Sequence, residues 1–302
     1  MLSLLLMSLV TAESSAATNT PSPRPASDEP PLVELFDGHS LAGWTYLGTP
    51  GGVRVEDDAI RLQSVGPGEQ AGHLFFVGDD PSQPRLFRDF ELVIESRGEG
   101  ESNSGLFFHT SPRQRTRFGL LADGYEVQLN NVPKEKNKTG SLYAVERVDV
   151  SPVDENEWFT MWVRVQGDVI EVFITETDGT ERSVVRYVEP VDVIEQRPKN
   201  RKGRHLFEQG GQIALQAHDT GSVWHFRRIA IRELPKSEGT TRATPPSLDD
   251  DALNDDAPND GSPSQAATDE ATTDEATTGE AATGEAATAN GERSGQTPEA
   301  SP

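Results

Sequence analysis

Three short segments place ionisable and amide side chains on stretches that otherwise carry only packing residues. In Gly124-Tyr125-Glu126-Val127-Gln128-Leu129, strand alternation sends Tyr125, Val127 and Leu129 to one face and Glu126 with Gln128 to the other. Gly211-Gln212-Ile213-Ala214-Leu215-Gln216-Ala217-His218 repeats the arrangement, with Ile213, Leu215 and Ala217 inward and Gln216 and His218 outward. Asn103-Ser104-Gly105-Leu106-Phe107-Phe108-His109 puts Ser104, Leu106 and Phe108 on one face and Asn103, Gly105, Phe107 and His109 on the other. If one sheet holds all three, then Glu126, Gln128, Gln216, His218 and His109 share a surface. One carboxylate, two imidazoles and two amides suit a sugar site, or a small metal site in which Glu126, His109 and His218 hold a divalent ion. The same alternation also describes the solvated face of an antiparallel sheet, although these positions include no Lys and no Thr. Trp224, close to the strand that carries Gln216 and His218, is the tryptophan expected to offer a stacking platform to a pyranose ring; Trp44, Trp158 and Trp162 are read as packing.

The elements that must position these residues are strands. Between residues 32 and 234 the apolar pattern has period two, as where Phe159, Met161, Val163 and Val165 alternate with Trp158, Thr160, Trp162 and Arg164. Phe90, Leu92 and Ile94 likewise alternate with Glu91, Val93 and Glu95, which predicts one core face and one more polar face. Gly51-Gly52, Gly66-Pro67-Gly68, Asp123-Gly124, Gly167-Asp168 and Asp178-Gly179 punctuate the runs, and Gly167-Asp168 predicts a hairpin joining 157–166 to 169–175. Many short strands in one such domain predict an all-β fold, two antiparallel sheets packed as a β-sandwich or jelly roll.

The flanks read differently. Residues 1–17, with the apolar run Leu2 to Val10 and Ser15-Ala16-Ala17, have the form of a secretory signal too short to span a bilayer, and 18–31 reads as a Pro/Ser/Thr linker. Residues 235–302 carry 15 Asp and Glu against 3 Lys and Arg, about half of the chain's net charge of −23, and contain no aromatic residue. They hold a degenerate repeat of the type Asp269-Glu270-Ala271-Thr272-Thr273 and predict a disordered acidic spacer. The acidic balance argues against nucleic acid, and the short basic runs 113–117 and 199–204 are read as solvated loops. No cysteine is present, so disulfides, thiolate metal sites and Cys nucleophiles are excluded. The expectation is a secreted or periplasmic protein with no transmembrane anchor beyond the signal segment.

Motifs spread over the domain carry a family resemblance. Leu35-Phe36-Asp37-Gly38, Leu41-Ala42-Gly43-Trp44, Asp89-Phe90-Glu91-Leu92, Asn103-Ser104-Gly105, Gly124-Tyr125-Glu126-Val127-Gln128, Thr139-Gly140-Ser141-Leu142-Tyr143, Ile213 to His218 and Phe226-Arg227-Arg228-Ile229 occur in family order. In these the chain resembles the 3-keto-disaccharide hydrolase domains. The resemblance implies a concanavalin-like jelly roll and cleavage of 3-keto-glycosides; the chain departs from the family with His109 where an Arg is usual and Trp158-Phe159 where Trp-Asn is common. An ordinary glycosidase needs two facing carboxylates, and the shared face supplies one, Glu126. A 3-keto sugar changes that requirement, because the ketone acidifies the C2 proton: one base removes it, the C1 substituent leaves, and water adds back. Under this reading Glu126 is the base or a ligand of a divalent metal ion, with His218 second for either role. Gln128 and Gln216 orient hydroxyls, His109 contributes to binding, and Asn103 and Tyr143 stand at the rim. The competing reading is a non-catalytic carbohydrate-binding module.

Overall fold

The computed structural model describes residues 29–65, 71–113, 115–116, 119–176 and 178–237, all within one unit, Met1–Asp260. The signal segment, residues 18–28 of the linker and the acidic tail beyond 237 lie outside the described residues. The strands are β1 (Val33–Glu34), β2 (Trp44–Leu47), β3 (Val53–Glu56), β4 (Ala59–Gln63), β5 (Gly72–Phe76), β6 (Phe90–Glu99), β7 (Asn103–Thr110), β8 (Tyr125–Asn130), β9 (Phe159–Gln166), β10 (Val169–Thr175), β11 (Glu181–Val188), β12 (Gln212–Ala217) and β13 (Val223–Glu233). One sheet runs β11-β10-β9-β6-β13-β4-β3, with β1 also paired to β13; the other runs β2-β5-β12-β7-β8. All named strand pairs are antiparallel. The two sheets form an antiparallel β-sandwich of the jelly-roll kind.

The core follows the predicted alternation. Phe90, Leu92 and Ile94 from β6 and Met161, Val163 and Val165 from β9 share it with Leu106 and Phe108 of β7, Tyr125, Val127 and Leu129 of β8, and Ile213 and Leu215 of β12. The hairpin at Gly167-Asp168 forms, with Gln166 opposite Val169. The expected polar face of β6 is where the pattern misleads. Glu91 is buried, because Arg164 and Arg232 reach it at 2.9 and 3.0 Å and also hold Glu29 at 2.6 Å each. Glu29, in the segment expected to be linker, is thus docked onto the back of the larger sheet.

One irregularity matters for the site. Along β12 and β7, Gln212 pairs with Thr110 but Ala214 pairs with Phe107, so β7 carries an extra residue. His109 sits there at φ +51°, in the left-handed region. Gly211 and Gly124 make the bulge possible, since a Cβ on either would lie within about 2.5 Å of the His109 backbone.

Candidate active site

The second face of the five-stranded sheet is where the polar residues gather. Register builds it in rows. Gln216 stands opposite His73 of β5, Gly105 opposite Gln128, and Phe107 both opposite Glu126 and opposite Ala214. Glu126, Gln128 and Gln216, on two strands separated by β7, therefore lie on one surface. They are not solvated: Glu126 is 5% exposed, Gln128 2% and Gln216 1%. Chain that crosses this face covers them. The Thr139 to Tyr143 motif runs beside β8, its Ser141 carbonyl accepting from the Gln128 N–H and its Tyr143 N–H donating to the Glu126 carbonyl, both at 2.9 Å.

Glu126 occupies a space that only glycine at position 105 leaves open. A Cβ on Gly105 would lie 2.4 Å from Glu126 Oε1, so the carboxylate rests across the β7 backbone. Facing it at 3.7 Å is the guanidinium of Arg204, itself buried, set 5.9 Å from the ring centre of Phe107 and 5.8 Å from that of Tyr143. Arg204 Nη1 is buried and has no hydrogen-bond partner among the described residues. Burial lowers the Arg204 pKa despite the charge of Glu126, yet it remains the cation of the site.

A chain of hydrogen bonds closes one end. Gln128 Nε2 donates to Asn103 Oδ1 at 2.7 Å, Asn103 Nδ2 donates to Asp219 at 3.5 Å, and Asp219 binds His218 Nδ1 at 2.6 Å. Burial pushes the His218 imidazole down, but the Asp219 bond and charge, helped by Glu126 and Glu135, hold it above the ordinary histidine value. The Asp219 carboxylate therefore favours the protonated form of His218.

Of the sequence-predicted residues, Glu126, Gln128, Gln216, Asn103, Tyr143 and His218 come together. Two do not. The bulge turns His109 off this face and into the core, stacked on Phe90 at 6.3 Å; its Nε2–H donates to the Arg88 carbonyl at 2.9 Å and its Nδ1 accepts the Phe207 N–H at 2.8 Å. Trp224 is a core residue, 1% exposed and edge-on to Phe159, and offers no platform. The proposed metal trio fails with His109: among the described residues no three His, Cys, Asp or Glu side chains converge in a way that could hold a metal ion.

Sequence reasoning missed Arg204, read there as part of a solvated basic run. It lies in the irregular connection between β11 and β12, and three anchors fix it. Arg197 Nε donates to the Arg204 carbonyl at 3.1 Å, Glu189 accepts the Leu206 N–H at 2.9 Å, and His109 accepts that of Phe207. Arg197 also donates to the hydroxyls of Tyr125 and Tyr187 at 3.1 Å, and Tyr125 in turn donates to Glu189, so the loop is tied to β8. His109 acts as a clip for the segment that delivers Arg204.

Residues 31–232 match the sequence pattern of the family described as the 3-keto-alpha-glucoside-1,2-lyase-like domain. The chain belongs to this family. Among solved structures, a "putative glycosyl hydrolase" of Parabacteroides distasonis superimposes with a TM-score of 0.53 at 18% identity, covering 68% of this chain and 94% of its own. A second structure of that description from the same organism gives 0.48 at 18% identity over 68% and 100%. A lectin from Bauhinia forficata, solved with GalNAc, gives 0.44 at 14% identity over 68% and 99%. No curated protein matches the chain. As a member of the lyase-like family, the domain is related to carbohydrate-acting proteins. No helix among the described residues is long and apolar enough to cross a membrane.

Proposed function

We propose that the domain cleaves the glycosidic bond of 3-keto-glycosides, with Glu126 as the base that removes the C2 proton. The observation that carries this reading is the Gly105 gap, which seats one buried carboxylate against one buried guanidinium that still has an N–H to give. As the C2–H electrons move toward the ketone, charge develops on the C3 oxygen, where Arg204 stabilises the enolate. The enolate then expels the C1 substituent. The leaving oxygen takes its proton from His218, whose protonated form Asp219 favours, to leave an unsaturated ketone between C1 and C2. Water gives a proton back to His218 as its hydroxyl adds to C1, and Glu126 returns its proton to C2, so both groups are restored and the balance is hydrolysis. Gln128, Gln216 and Asn103 orient ring hydroxyls, and the apolar run Leu2 to Val10 supports action outside the cytoplasm.

The test is incubation of the full chain with a 3-keto-glucoside, following aglycone release by mass and deuterium uptake at C2 from heavy water. Glu126→Gln is expected to lower kcat by about 10²–10⁴-fold and to abolish C2 exchange, and Arg204→Met to lower it by about 10²–10³-fold. Undiminished turnover in Glu126→Gln overturns the role of that residue. Plain glycan binding with no turnover of any keto-sugar identifies a binding module instead.

A further inference from the structure

One side chain on the same face has no part in the steps above. His73, from β5, is wholly buried and paired directly with Gln216. Its ring is clamped edge-on to Phe107 at 5.3 Å and tilted against Phe75 at 6.1 Å. Neither of its nitrogens has a hydrogen-bond partner among the described residues, and the same holds for Gln216 Oε1 and Gln128 Oε1. Buried polar side chains in an ordinary core are satisfied. Here the unsatisfied atoms fall along one direction across the sheet, from His73 through Gln216 and past Gly105 to Gln128, with the Glu126 carboxylate resting over Gly105.

We propose that His73 is a specificity-determining residue of this site, and that its imidazole and the Gln216 side-chain carbonyl together take adjacent hydroxyl groups of the bound sugar. The inference rests on the keto-glycoside reading for the identity of the ligand, but not for the existence of the subsite. A neutral imidazole offers one N–H and one lone pair, and an amide carbonyl offers acceptors, which is the complement of a vicinal diol. Burial, with the charges of Arg115 and His218 nearby, holds His73 well below the ordinary histidine value, so it stays neutral and selects an uncharged polyol edge rather than a carboxylate or phosphate. The aromatic clamp fixes the ring, so the hydroxyl pair is read at one place.

His73→Phe keeps the ring and its packing while removing both nitrogens. With a 3-keto-glucoside and its mono-deoxy analogues, KM is expected to rise about 10–100-fold with kcat within about threefold, the pattern of lost uniform binding. The deoxy analogue that is penalised on the natural protein should lose that penalty on the variant. An unchanged KM and an unchanged ranking of the analogues overturn the proposal. Gln216→Met, checked for a retained melting transition, should penalise a neighbouring hydroxyl in the same way, and decides the matter if His73→Phe does not fold. Calorimetric binding of the same sugars separates this inference from the catalytic reading. Binding that depends on His73 without turnover defeats only the latter, turnover indifferent to His73 defeats only the former, and neither binding nor turnover defeats both.

Discussion

Gly105→Ala tests the seat of the proposed base without touching the base. The added methyl would stand 2.4 Å from Glu126 Oε1 and 3.0 Å from Cγ and Cδ. Non-bonded heavy atoms settle near 3.5 Å, so the carboxylate must swing by about 1 Å. A displacement of that size at a reacting group costs about 10²-fold in rate, or about 2.7 kcal/mol in barrier. Stability should respond in the opposite sense. The clash falls on the end of a flexible side chain, and alanine removes about 0.5–1 kcal/mol of the unfolded chain's backbone freedom. The variant is therefore expected to melt close to the parent while kcat/KM on a 3-keto-glucoside drops about a hundredfold. In the Glu126→Gln background the same substitution should cost nothing further, since the glycine acts only through that carboxylate. Turnover within threefold of the parent, with the fold intact, refutes the reasoning.

Two predictions concern pH. His218 is held up by Asp219, and Asp219 is held down by His218 although burial opposes it. The stability from the pair is full between about pH 4 and 6.5, is lost as pH rises through the raised His218 value, and is lost as pH falls through the depressed Asp219 value. Asp219→Asn should lower the His218 titration seen by NMR and move the basic limb of the pH–rate profile to lower pH, and a stability difference that stays constant from pH 5 to 9 would contradict this. Asp123 moves the other way: burial pushes it up to about 7 against the bonds from Thr110 and the Ser111 N–H and the charge of Arg204. The folded state keeps a proton that the unfolded chain gives up, so urea stability should fall by about 4 kcal/mol between about pH 4 and 7 and level off above. Asp123→Asn should flatten that slope.

The sandwich and most of the site are legible in alternation, because a strand that packs one face must declare both. Tyr125, Val127 and Leu129 mark the core side of β8 and thereby place Glu126 and Gln128. What alternation cannot carry is a change of phase. The extra residue at His109 is a property of pairing between β7 and β12, not of either sequence alone, and it sends an imidazole expected at the sugar face into the core. Glycines at 124 and 211 were the available signal. Trp224 carried the same ambiguity as any tryptophan between platform and packing. Arg204 escaped because it comes from irregular chain, where no period fixes a direction, and its neighbours are charged like a solvated loop. Glu29 and Glu91 show the same limit for ion pairs, whose partners are long-range.

The order of strands also bears on how the domain comes into being. In each sheet a central position is taken by a strand made near the end of the domain: β12 sits between β5 and β7, and β13 between β4 and β6. A nascent chain emerging in order therefore has no complete sheet on which to rest. Both sheets close only after residues 212–233 arrive, through pairings of long sequence separation that fold slowly. Gln216 and Glu126 meet at that same moment. A chain stopped before Gln212 would not be a smaller version of the protein, because each sheet would lack a central strand and stay in two open parts with exposed edges, and synthesis of the last two strands is the event that makes both the fold and its site.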